Sequence, residues 1–184
     1  MNQQSEEKLR LCVRAIHDIQ KGSSVERAGV DTSEKDGSVI IRFPVELESS
    51  GETVRCTLIL GERFTQLYAE LKSSLEAMYC VRATVAVNAA NQAMRFGHVS
   101  VDSRDGRVFY TLAQLADRAE SVPGAIAVGL MELNDWYSPL LDFLDTPMER
   151  QDLEDFLDTA GRVTHTGDNT LPLDELYSEE DEDR

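Results

Sequence analysis

The stretch SSLEAMYCVRATVAVNAANQAMRFGHVSVDSRDGRVFYTL, residues 73–112, decides the fold. It reads as one helix running into one β-hairpin. Ser73 can cap the helix and Glu76 follows three residues on, a capping box that satisfies N–H groups left over at a helix start. A helix is therefore expected over 76–94. Ala77/Met78, Val81, Val85, Ala89 and Ala93 recur at the spacing of one helical face. Residues 96–101 alternate as a strand. Ser103-Arg104-Asp105-Gly106 is turn chemistry, with Gly able to take the positive φ that hairpin turns require. Residues 107–112 return as a second strand. Asn88 and Asn91 stand near the helix end, where Asn is a mediocre helix former because its amide competes for backbone groups. Two readings stand side by side. Either these are exposed amides on a fraying end, or one of them bonds backbone at the turn into Phe96 and fixes where the strand starts.

Upstream, Leu9, Cys12, Val13, Ile16 and Ile19 predict an amphipathic helix over 6–21, stopped by Gly22-Ser23-Ser24. Residues 38–48 alternate, with Val39, Ile41, Phe43, Val45 and Leu47 on one face and Arg42, Glu46 and Glu48 on the other. Pro44 cannot donate to a ladder, which suggests an edge strand or a bulge. Ser49-Ser50-Gly51 turns the chain into a second strand, 52–60, with Val54, Cys56, Leu58 and Leu60 inward. The 64–75 stretch fits strand and helix periodicity equally. A third strand at 66–72 is preferred, because two strands alone leave a narrow sheet. Downstream, Pro123 suits the start of a helix whose stripe is Ile126, Leu130, Leu133, Trp136/Tyr137 and Leu140/Leu141. Pro139 predicts a kink or break near Tyr137. Thr146-Pro147-Met148-Glu149 opens an accessory helix ending at Gly161.

The chain carries 18 Lys and Arg against 34 Asp and Glu, a net charge of −16. The imbalance is concentrated. Residues 142–184 hold 15 acidic and 3 basic residues, a net of −12, and residues 1–141 hold 19 and 15, a net of −4. Residues 162–184 read as an acidic disordered tail, since like-charge blocks repel. Such a balance disfavours nucleic acid and anionic membranes and favours basic partners. No apolar run is long enough for a transmembrane helix, and the polar, acidic start is unlike a secretory signal, so a cytoplasmic protein is expected.

Catalytic signatures are not apparent. His17, His98 and His165 share no metal-ligand spacing, and no phosphate loop or nucleophile elbow appears. Cys12, Cys56 and Cys80 are read as buried free thiols, since an odd count without Cys-x-x-Cys argues against a disulfide framework. Asp102 and Asp105 flank a turn rather than a calcium loop, which needs more oxygen ligands at fixed spacing. The mixed apolar and acidic stretch 171–177 can be a docking motif or a solvated segment.

Residues 87–102, followed by Asp105-Gly106-Arg107-Val108-Phe109-Tyr110, resemble the YbjN family, which shares its fold with class I type III secretion chaperones. The shared pattern is a helix ending in Asn, a short step to Phe-Gly, an alternating strand, Asp-Gly, and a strand. The resemblance covers residues 5–145. It implies an α+β domain at 1–145: a helix, a three-stranded antiparallel sheet, a helix, a β-hairpin and C-terminal helices. It also implies a homodimer without catalytic residues, metal or cofactor. The expected function is a protein-binding module that holds a partner segment or acts in bacterial stress or sensory regulation. The alternative is a dimeric scaffold whose acidic tail docks a basic partner. The candidate partner-binding residues are Val39, Ile41, Phe43, Trp136, Leu173, Leu176 and Tyr177.

Overall fold

The computed structural model describes residues 3–72, 74–75, 77–102, 104–115 and 118–145. Over these, the chain runs α1 (Gln3–Gln20), β1 (Asp31–Lys35), β2 (Ser38–Glu46), β3 (Thr53–Leu60), β4 (Phe64–Lys72), α2 (Ala77–Ala93), β5 (His98–Val101), β6 (Val108–Leu115) and α3 (Ser121–Asp145). The class is α+β. The proposed accessory helix and the acidic stretch 162–184 lie outside the described residues.

The sequence predicts a three-stranded sheet with a separate hairpin; the strands instead form one six-stranded antiparallel sheet, ordered β1-β2-β3-β4-β6-β5. The hairpin joins through β6, which pairs along β4 from Phe64↔Leu115 to Lys72↔Val108. A buried β4 edge would leave backbone donors and acceptors without partners, and β6 satisfies them. The alternation in β2, β3 and β4 does set one common face. Val39, Ile41, Phe43 and Val45 meet Leu60, Leu58, Cys56 and Val54 across the β2–β3 ladder, all buried. Residues 64–72 are a strand, with Leu67, Ala69 and Leu71 inward.

The added strand is β1. Its five residues, Asp-Thr-Ser-Glu-Lys, are all exposed, so it has no apolar face for a periodicity argument to detect. A two-residue turn makes it. Asp36 and Gly37 both take positive φ, 50° and 76°, between the paired Lys35 and Ser38, the twist-matched hairpin turn. Because β1 ends opposite Arg42, Pro44 lies where β2 is an edge, and its missing N–H breaks no ladder.

All three helices pack on the inward face. Cys12 and Ile16 from α1, Ala83, Ala86, Val87 and Ala90 from α2, and Ile126, Leu133, Trp136 and Leu140 from α3 join the sheet side chains in one core. The face of α2 differs from the expectation: Val85 is exposed, and the small residues at 83, 86 and 90 are the buried ones. Small and apolar residues surround this helix, so spacing alone does not choose a face. α3 continues through Pro139 without a break. An interior proline costs about 3 kcal/mol. Burial of Trp136, Tyr137, Leu140, Phe143 and Leu144 around it offsets that, at roughly 1.5–3 kcal/mol for a large apolar side chain. Among the described residues no helix is long and apolar enough to cross a membrane.

Candidate functional site

With every helix on one face, the opposite face of the sheet is left uncovered by the described residues. Strand alternation puts Arg42 and Pro44 of β2, Arg55 and Thr57 of β3, Tyr68 and Glu70 of β4, and Phe109 of β6 on it. The register aligns them in rows. Asp31, Arg42, Thr57, Tyr68, Thr111 and His98 lie side by side across all six strands, and Pro44, Arg55, Glu70, Phe109 and Ser100 form the next row. The β1–β4 part of these rows, with Phe109, lines a trough of about 660 Å³ that opens beside Gly29 and Val30. Tyr68, Phe109, Pro44 and Val30 are half-buried, whereas Arg42 and Arg55 are exposed. Arg42 reaches only the Ser33 hydroxyl, at 3.5 Å, and neither arginine enters an ion pair among the described residues. An aromatic floor with unpaired guanidinium groups beside it can take apolar and hydrogen-bonding side chains of an extended chain.

The free edges of the sheet are treated unequally. On β5, the Asn91 amide donates to Val99 O at 2.9 Å while its oxygen accepts from Val99 N at 2.7 Å. That occupies the edge as a neighbouring strand would. Of the two readings, the one in which an Asn side chain bonds backbone is the observed one, at Val99 within the strand rather than at the turn into Phe96; Asn88 is exposed. Past the end of β1, Gln20 Nε2 donates to Pro44 O at 2.8 Å and closes that stretch of β2. Among the described residues, no side chain caps the outer edge of β1 in this way.

The α2–β5 junction is locked by a residue the sequence reading missed. Glu132 of α3 is buried, and its carboxylate accepts from the N–H groups of Arg95 (2.7 Å), Phe96 (3.0 Å) and Gly97 (2.6 Å) and from the Tyr110 hydroxyl (2.8 Å). A buried carboxylate costs several kcal/mol to desolvate, and four donors aimed at it supply the compensation. Burial, with the Glu132 charge beside it, drives the Tyr110 phenol well above its ordinary range. The same two causes raise the Asp135 carboxyl. Gly97 is required for the close approach: a Cβ there would overlap the Tyr110 ring.

Of the sequence-predicted partner residues, Val39, Ile41 and Phe43 face the core at 6%, 0% and 3% exposure, and Trp136 of α3 is 3% exposed. All four belong to the one core, with no side chain offered to a partner. Strand alternation explains the correction: their neighbours Ile40, Arg42 and Pro44 hold the open face. Leu173, Leu176 and Tyr177 lie outside the described residues. Cys12 and Cys56 are buried free thiols, each pushed up to about 12 by burial. The Asp102 oxygens are engaged by Arg104, whose guanidinium donates to both at 2.9 and 2.6 Å and holds the carboxyl down at about 2. Set against known proteins, the chain matched no family model, no curated protein and no solved structure.

Proposed function

We propose that this chain is a non-enzymatic protein-binding module of the YbjN and secretion-chaperone-like kind its sequence resembles. It holds an extended segment of a partner protein in the trough on the uncovered sheet face. It acts as a homodimer in the bacterial cytoplasm, in stress or sensory regulation. The observation that carries the reading is the one-sided placement of the helices. That placement leaves Tyr68 and Phe109 half-buried at the floor of a trough with Arg42 and Arg55 beside them. A concave, partly apolar surface with a few polar groups is the usual form of a peptide or ligand site.

A photo-crosslinking residue placed in the full chain at Tyr68, and separately at the exposed Arg14 of α1, tests this in cells. Capture of one defined polypeptide from position 68, lost in Phe109→Ala and Arg55→Glu chains that still fold, is the expected result. Equal capture from both positions, or capture indifferent to those substitutions, overturns it.

A further inference from the structure

We propose that two copies of this chain join through β1, antiparallel and centred on Ser33, so that the two sheets become one. This rests on the homodimer reading above and names the surface that makes the dimer; it does not depend on the trough.

The geometry starts from the turn. In a two-residue hairpin the residues flanking the turn are the first hydrogen-bonded pair, here Lys35 and Ser38. Alternation then turns the backbone groups of Lys35, Ser33 and Asp31 towards β2. Those of Thr32 and Glu34 point the other way, to the free edge. Among the described residues, no backbone bond links either residue to another loop or strand beyond the β1–β2 ladder. Elsewhere the edges are engaged in part, β5 at Val99 by Asn91 and the overhang of β2 by Gln20 at Pro44.

Charged edge strands ordinarily deter pairing. This one is self-complementary. Antiparallel pairing about Ser33 sets Thr32 opposite Glu34 of the second copy, and Glu34 opposite its Thr32. All four outward residues then exchange N–H···O bonds in register. The same register sets Asp31 opposite Lys35 at both ends, two opposite-charge cross-strand pairs. Shifting by two residues either way loses this match: one register centres Glu34 on Glu34, and the other drops Lys35 out of the ladder. Asp31 and Lys35 lie on the open face with Arg42, so joining the edges makes the two open faces continuous.

Edge pairing buries less than a standard interface, which places it in the weak class. Sedimentation equilibrium of the full chain over a concentration series, at low and high salt, tests it. A reversible monomer–dimer equilibrium is expected. Lys35→Asp weakens it at least tenfold by setting like charges opposite each other, and the exchange Asp31→Lys/Lys35→Asp restores it. Thr32→Pro abolishes it while leaving the β1–β2 ladder and the circular dichroism spectrum unchanged, because the N–H it removes points outward. A monomer at every concentration overturns both this proposal and the homodimer reading. A dimer indifferent to the charge exchange and to Thr32→Pro overturns this proposal alone.

Discussion

Asn91 grips Val99 by both backbone groups, donating to its carbonyl at 2.9 Å and accepting from its N–H at 2.7 Å. One side chain thereby ties the last turn of α2 to β5 and occupies the sheet edge at Val99. Asn91→Ala leaves two part-buried backbone groups unpaired, at a cost of about 1–3 kcal/mol. For a chain of this size that lowers the melting temperature by roughly 2–10 °C. Asn91→Asp can still accept from Val99 N–H, but it sets a carboxylate oxygen against the Val99 carbonyl. It is expected to be no better than alanine. Thermal unfolding followed by circular dichroism decides, and an unchanged midpoint in Asn91→Ala would remove the edge-closing role.

Glu132 is the second lock. Glu132→Ala strands three N–H groups and the Tyr110 hydroxyl around a cavity, and a loss of about 3–5 kcal/mol is expected, as when one partner of a buried charged network is removed. Tyr110→Phe keeps the ring and the three backbone donors, so its cost is expected near 1–2 kcal/mol. Urea denaturation at neutral pH separates the two. Equal costs would mean that the hydroxyl, rather than the backbone N–H groups, holds the carboxylate.

Where a side chain's environment is set by its own strand, the sequence is sufficient. The alternation in 38–60 identifies the inward face residue by residue, because the two-residue period leaves no choice once one side is apolar. What escaped was set by meetings between distant elements. Glu132 looks like an ordinary solvated acid beside a helical stripe, and only the packing of α3 against residues 95–97 buries it. The stripe on α2 was misplaced because alanine and valine surround the helix and the tether at Asn91 chooses which side faces in. β1 did have a signal, Asp36-Gly37 directly before an apolar strand, but its own residues are all polar and reward no burial. Apolarity alone points to the inward residues of β2 as a partner surface. Those fill the core, and the trough belongs to the mixed residues between them.

Gly97 is expected to resist substitution for a reason unrelated to backbone freedom. Its missing Cβ is the space taken by the Tyr110 ring, and the hydroxyl of that ring is fixed by Glu132. Gly97→Ala must displace either the ring or the 95–97 backbone, at about 1–3 kcal/mol for an overpacked core site. Near-ultraviolet circular dichroism reports the aromatic displacement, and chemical denaturation its cost. A spectrum and midpoint matching the unsubstituted chain would show that the junction is looser than the structure depicts.

The two buried thiols make the fold sensitive to alkali. Cys12 and Cys56 are held protonated up to about 12, against 9.0 for an exposed thiol. Between those values the unfolded chain has lost the thiol protons and the folded chain retains them. The unfolded state therefore binds fewer protons, and stability falls as pH rises. The slope is about 1.4 kcal/mol per pH unit for each thiol, beginning near pH 9. The raised Tyr110 phenol adds to the fall at higher pH. Cys56→Ala should be less stable than the parent at pH 7, through the lost packing, yet decline less steeply from pH 9 to 11. Denaturation midpoints across that range test it. Parallel declines in the two chains would show that Cys56 ionises as readily in the folded state as in the unfolded one, and that its burial is breached before the fold is lost.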